Sequence, residues 1–460
     1  MYKIDFNEPI HIHFIGIGGI SMSGLAEILL KEGFTVSGSD TKESPLTKKL
    51  VSEGAHIIYG QKAENITRDI GCVVYTAAIN RNNPELIEAV ALKIPMLTRA
   101  ELLGQLMKNY DTPIAVSGTH GKTTTTSMIS HILLEGDLDP TISVGGILKA
   151  IGGNIRVGNS GTFITEACEY TNSFLHFFPK ISVILNIEED HLDFFKDLED
   201  IRHSFHQFAE LLPEDGTLII NAEIKDYAEI YEGLSCNVVT YGTNGCFDYS
   251  AKNITYDENG HVAFDLFRRG EYADHIQLSV TGDHNVSNAL SAIAVADILG
   301  LSIDITKRGL LSFTGTDRRF EYKGEFNGVT VIDDYAHHPT EILATLKAAQ
   351  HSLHNSVWCV FQPHTYSRTI SLLDEFAEAF YSADKVIITD IYAAREDDPG
   401  TVHSRDLVEK LQHNNVDAIY ISQFEDIVKY LKENVKENDV VITTGAGPIY
   451  LVGEELIKEN

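Results

Sequence analysis

Apolar residues in this chain fall into short continuous runs separated by longer amphipathic stretches, the pattern of buried parallel strands alternating with helices. In the first third, His11-Ile-His-Phe-Ile15, Phe34 to Asp40 and Cys72-Val-Val-Tyr75 read as strands, and a helix opens within Gly16 to Gly24 and runs to Leu30. A second segment, from about Asp111, begins with the apolar stretch Pro113-Ile-Ala-Val116, a glycine turn and a helical pattern over Thr126 to Leu134. Strands follow at Thr162 to Thr165 and Ile181 to Asn186, then a β-rich stretch near Asn237 to Val280 and a small-residue helix from Asn288 to Leu299. From Arg318 the alternation resumes, with strands at Val329–Ile332, Val357–Phe361, Lys385–Ile388 and Val440–Thr443. The expected fold is α/β in three domains: residues 1–110 Rossmann-like, 111–317 a central P-loop domain with a parallel sheet and a small β-rich part, and 318–460 a second Rossmann-like domain.

Charge and cysteines narrow the function. A net charge of −30 argues against binding nucleic acid or an anionic membrane surface. Any phosphate ligand must therefore be held by local devices: loops, helix ends, metal ions and a few placed cations. The five cysteines are scattered without metal-ligand spacing, which points to a reducing, cytoplasmic compartment. No apolar run reaches about 18 residues, so no membrane insertion is expected, and residues 1–9 lack the signal-peptide pattern.

The most informative run is Ser117-Gly118-Thr119-His120-Gly121-Lys122-Thr123-Thr124. Glycines let the backbone turn its N–H groups inward, a helix N-terminus adds a positive dipole end, a lysine reaches the β- and γ-phosphates, and a hydroxyl serves Mg²⁺. Val116 stands where the strict eight-residue pattern needs glycine, so this is a shortened variant. Gly118, Thr119, His120, Gly121, Lys122, Thr123 and Thr124 are thus candidate ATP contacts. The turn Gly16-Ile-Gly18-Gly19-Ile-Ser21 is a broken dinucleotide fingerprint, with Ser39 and Asp40 at the end of the next strand; a nucleotide, a nicotinamide or a flavin all remain open there.

Other residues sit at strand ends, where open parallel sheets bind ligands. Glu166 and His191, with Thr123, are candidate metal ligands; oxygen donors suit Mg²⁺, and a histidine would also accommodate Mn²⁺. Asn285 and Asn288, three apart, share one face of a first helical turn and could read an adenine edge. Arg318-Arg319 suggests phosphate clamping. Asp333-Asp334-Tyr-Ala-His337-His338-Pro and Gln362-Pro-His364-Thr-Tyr-Ser-Arg368 could bind a carboxylate and position an amine; the adjacent histidines are poorly placed to share a zinc ion.

Together these motifs resemble the Mur ligases of peptidoglycan precursor synthesis over nearly the whole chain: Gly118-Thr-His-Gly-Lys-Thr-Thr, Asn186-Ile-Glu-Glu-Asp-His191, His284-Asn-Val-Ser-Asn288, Arg318-Arg-Phe320 and Asp333-Asp-Tyr-Ala-His-His-Pro339. The resemblance implies ATP-dependent joining of L-alanine to the lactyl carboxylate of UDP-N-acetylmuramate through an acyl phosphate, with Mg²⁺. It implies that Gly16, Gly18, Gly19, Ser39 and Asp40 lie on the UDP side. Lys122, His191, Arg319 and Asp334 would be catalytic, and Thr123, Glu166 and His191 would serve the metal. Asn285, Asn288 and Arg319 would meet the nucleotide, and His337, His338, His364 and Arg368 the amino acid. Small-molecule substrates and a monomer or homodimer are expected. The stretch after His191 offers Arg202, His203 and His206 rather than the lysine that some relatives carbamylate. A tripeptide-recycling ligase is the alternative within the family; a nicotinamide oxidoreductase and a non-catalytic nucleotide binder are those outside it.

Overall fold

A computed structural model of the chain describes residues 2–76, 79–352, 354–394 and 396–458. By internal contacts these divide into two compact units: 1–187 with 201–220 and 224–239, and 188–200 with 221–223 and 240–460.

The first unit holds two sheets. Strands β1 (His11–Ile15), β2 (Thr35–Asp40), β3 (His56–Tyr59), β4 (Cys72–Tyr75) and β5 (Met96–Thr98) form an all-parallel sheet in the order 3-2-1-4-5, a Rossmann-like arrangement. The second sheet is built from β6 (Thr112–Ser117), β7 (Thr141–Leu148), β8 (Gly153–Arg156), β9 (Thr162–Glu166), β10 (Ile181–Ile184) and β11 (Thr217–Asn221), in the order 11-10-6-9-7-8. Its central strands are parallel and buried over most of their length, which is why apolar residues dominate β6 and β10.

β12 (Asn237–Gly242), which enters the second unit at Thr240, then β13 (Tyr249–Tyr256), β14 (His261–Arg268) and β15 (Glu271–Thr281) make the expected β-rich part, followed by a helix, His284–Ile298. The C-terminal sheet comprises β16 (Glu321–Phe326), β17 (Val329–Asp334), β18 (Val357–Phe361), β19 (Lys385–Ile388), β20 (Ala418–Tyr420) and β21 (Val440–Thr444), in the order 16-17-21-18-19-20. Only the edge strand β16 is antiparallel. Apolar clusters lie on both faces of this sheet, one around Phe361, Phe376 and Leu407 and one around Trp358, Ile427 and Leu431. Ile427, Val428 and Leu431 are the single buried stripe of the helix Phe424–Asn434.

Three elements depart from the sequence pattern. The helix after the glycine turn begins at Lys122, four residues before Thr126, because Gly121 at φ +83° already ends the turn and the polar threonines lie within the first helical turns. The helix expected from Asn288 begins at His284, so Asn285 and Asn288 lie inside its first turns. β10 stops at Ile184 because Asn186 turns aside to bond the glycine loop.

Candidate active site

The glycine loop leaves β6 at the carboxyl edge of its sheet. Gly118 sits at φ +146°, and a Cβ there would lie 2.9 Å from Leu185 Cβ, so only glycine fits without displacing β10. Asn186 staples the loop: its carbonyl accepts from Thr119 N–H (3.2 Å), its Oδ1 accepts from His120 N–H (2.7 Å), and its Nδ2 donates to His120 O (3.0 Å). Those two loop N–H groups are therefore structural. The donors left for an anion are the first-turn N–H groups of Lys122, Thr123 and Thr124, which have no intrahelical acceptor.

Lys122 folds back over this loop. Its Nζ donates to Gly118 O, to Thr119 O (3.1 Å) and to the Glu169 carboxylate (2.9 Å). Burial would lower the pKa of this ammonium, but the Glu169 carboxylate more than reverses that and the net shift is upward. Glu166 ends β9 and accepts from Gly145 N–H. A Cβ on Gly145 would come 2.8 Å from Glu166 Oε2, and one on Gly146 would come 3.2 Å from Thr123 Cγ2. The two glycines thus let the backbone pass close to Thr123 and Glu166, both of which carry hard oxygen donors of the kind Mg²⁺ takes.

The N-terminal turn is shaped by the two polar residues ending β2. Gly16 and Ile17 N–H donate to Ser39 O, and Gly18 N–H donates to Asp40 Oδ2 at 2.8 Å. A Cβ on Gly18 would lie 2.7 Å from that oxygen. The Ser39 side chain is fully buried and donates to Glu85 Oε2 (2.6 Å), which places it beneath the turn as scaffold. Gly19 then caps the helix Ile20–Lys31.

In the second unit, most of the remaining candidates are linked through Glu341, Arg368 and Asp190, and the asparagine pair stands apart. Asp334 at the end of β17 accepts from Phe320 N–H (3.1 Å), Ala336 N–H (2.8 Å) and the Thr345 hydroxyl (3.1 Å). Burial pushes its carboxyl up to about 6, against the pull of Arg319 and the Ala336 N–H. Arg319 lies 3.7 Å from Glu341, whose other oxygen accepts from His337 N–H (2.9 Å). Burial holds the His337 imidazole down at about 4. The His337 ring stands 5.7 Å from that of His364, and His364 Nδ1 accepts from Arg368 Nη1 (3.2 Å). Arg368 also donates to Asp190 (2.9 Å). Burial would raise the Asp190 pKa, but the guanidinium reverses this and holds it far below the carboxylate range. Asp190 Oδ1 in turn accepts from the N–H of His191, whose φ is +54°. His338 accepts from Thr340 N–H on one ring nitrogen and donates to Glu189 O on the other (3.0 Å), so its ring ties two segments together. Asn285 Nδ2 donates to Thr281 O (2.7 Å), and Asn288 Nδ2 to Asn285 Oδ1 (3.0 Å).

Of the tandem arginines, Arg318 is structural. It donates to Asp333 and to the carbonyls of Gly445 and Gly447, and lies over Tyr335 and Tyr450, each ring centre at 4.7 Å. That leaves Arg319 as the arginine oriented by Glu341. Arg202 is likewise structural: it donates to the carbonyls of Lys225 and Asp226 and to Glu229. Sequence reasoning gave no role to Glu169, Asn186, Asp190, Glu341 or Glu85. Asn186 and Asp190 lie inside the Asn186–His191 motif already singled out and Glu169 stands three residues beyond Glu166, so position alone could have flagged them; Glu341 and Glu85 carry no such signal.

A glycine loop between a buried parallel strand and a helix N-terminus, with a lysine at the helix start, in a chain that also carries two further α/β sheets, defines a nucleotide-using α/β enzyme. The chain belongs to the Mur ligase family. The family's catalytic domain matches residues 11–111, its middle domain 116–296 and its glutamate ligase domain 318–447. The UDP-N-acetylmuramate–L-alanine ligase of Lachnospira eligens is 59% identical over 459 residues, covering 100% of both chains. The crystal structure of the UDP-N-acetylmuramate–alanine ligase of Thermotoga maritima superposes with a TM-score of 0.80 at 29% identity, covering 98% of this chain and 99% of that one. A murein peptide ligase from Psychrobacter arcticus superposes at 0.68 with 26% identity, covering 97% and 98%.

Proposed function

We infer that this chain is an ATP-dependent ligase that joins L-alanine to the lactyl carboxylate of UDP-N-acetylmuramate in peptidoglycan precursor synthesis. The observation that carries this is the full-length 59% identity to a ligase of that name, and the phosphate loop and its lysine supply the chemistry. A carboxylate oxygen attacks the γ-phosphorus of ATP as the bond to ADP breaks, giving an acyl phosphate. The neutral amine of alanine then attacks the acyl carbon, phosphate leaves, and the nitrogen loses a proton. Lys122 and the first-turn N–H groups neutralise the transferring phosphoryl group. Thr123 and Glu166 are our candidates for holding Mg²⁺, with His191 added from its sequence motif; the ion would screen the repulsion between carboxylate and triphosphate.

The remaining assignments follow the same reading. Gly16, Gly18, Gly19 and Asp40 form the UDP turn, with Ser39 beneath it. Asn285, Asn288 and Arg319 serve the nucleotide, and Asp334 holds the Arg319 loop through its three internal bonds. His337, His364 and Arg368 serve the amino acid, with His338 fixing their segment. Domains of 1–110, 111–317 and 318–460 are supported by the gaps between the three family matches. No helix among the described residues is long and apolar enough to cross a membrane; a cytoplasmic site of action is inferred from the nucleotide substrates. Phosphate release from ATP and Mg²⁺ tests the function. It should require both UDP-N-acetylmuramate and L-alanine; a response only to L-Ala-γ-D-Glu-diaminopimelate would instead assign the recycling reaction.

A further inference from the structure

An ammonium has three N–H donors. On Lys122 they face two loop carbonyls and the carboxylate of Glu169, whose side chain is only 3% exposed. A phosphate can therefore reach this ammonium only by displacing one of these acceptors, and Glu169 is the one that carries charge. The segment that follows fixes where Glu169 stands. Thr171 and Asn172 both adopt left-handed backbone, at φ +55° and +57°, a costly conformation for a β-branched residue. Asn172 N–H donates back to Glu169 O (2.8 Å), and Phe174 N–H to Cys168 O (3.0 Å). Strain of this kind persists only where surrounding contacts enforce it, and here it holds a carboxylate against the phosphate-loop lysine.

We propose that Glu169 is a positioning residue for the ligation: a counter-ion that keeps Lys122 folded over the loop and competes with the triphosphate for its charge. This rests on the phosphate-loop reading above. Two opposite consequences follow. Without the carboxylate, the loop loses a repelling charge and binds nucleotide more tightly. The lysine also loses the partner that orients it, so phosphoryl transfer slows.

The test is calorimetric binding of ADP and ATP, with and without Mg²⁺, alongside turnover, for the full chain and for Glu169→Gln. Glutamine is isosteric and still offers the ammonium an acceptor, and the thermal transition checks the fold. Nucleotide affinity should rise about tenfold, the effect of one nearby charge in a partly solvated site, while kcat falls at least as far. Glu169→Asp retains the charge and should keep affinity within about twofold. Unchanged or weaker binding by Glu169→Gln, or equal tightening by Glu169→Asp, would overturn the proposal. Lys122→Met separates it from the reading beneath: if that variant binds nucleotide as well as the unaltered chain, the phosphate-loop assignment itself is wrong.

Discussion

Arg368→Met is the most informative perturbation of the second unit. Asp190 and Arg368 have side chains only 9% and 12% exposed, joined by a 2.9 Å contact from Nη2 and a 3.3 Å contact from Nε to the same oxygen. Removing the guanidinium leaves a buried carboxylate without its main partner, which costs about 3–5 kcal/mol. Asp190→Asn, which still offers Arg368 an acceptor, should cost about 1–2 kcal/mol, and Asp190→Asn/Arg368→Met, which removes both charges, also only about 1–2 kcal/mol, so the pair should show a coupling of roughly 3–5 kcal/mol. The assay is urea unfolding of all four proteins followed by fluorescence. The chain has a single tryptophan, Trp358, 6% exposed in β18 of the same unit, so the signal reports the sheet in question. The pH dependence has a definite sign. The folded pKa of Asp190 lies below its ordinary value of 3.8, so the pair's contribution is complete above about pH 4 and is lost as pH falls through the folded pKa. Additive single and double effects, with coupling under about 0.5 kcal/mol, would refute the buried pairing of Asp190 with Arg368.

Lys122→Ala should abolish ATP-dependent phosphate release. It should also lower the thermal transition, because it removes the ammonium that pairs with the buried Glu169 carboxylate; a variant that is inactive yet fully stable would contradict the ion pair. The Asp334 carboxyl is raised from 3.8 to about 6, so its protonated form favours the folded state. That contribution is complete below about pH 4 and is lost as pH rises through 6, and Asp334→Asn should erase a slope worth about 3 kcal/mol in Trp358-monitored stability. An unchanged slope would show that the three donors to this carboxylate outweigh its burial. Gly118→Ala forces a Cβ to within 2.9 Å of Leu185 Cβ at φ +146°; it should cost more than about 1 kcal/mol and weaken nucleotide binding, both measurable by thermal shift with and without ADP.

The sequence by itself determined much of this protein. Buried parallel strands must be apolar on both faces, so β4, β18 and β19 were readable to the residue from composition alone. Glycine is forced where a turn needs left-handed backbone or close approach, so the loops at Gly16 and Gly118 were legible too. The motifs around Lys122, Glu166, His191 and Arg319 stood out because glycines, acids, a lysine, a histidine and arginines cluster there beside strand and turn patterns. Only the tertiary structure decided which charges meet. Nothing in the spacing says that Glu169 rather than Glu166 takes the lysine, that Arg318 turns inward onto Gly445 and Gly447 while Arg319 turns to Glu341, or that Arg368 pairs with Asp190, 178 residues earlier. Local pattern encodes burial and backbone geometry because both are set by neighbours in sequence. Ion-pair partners are set by which strand ends the topology brings together, and sequence distance carries no record of that.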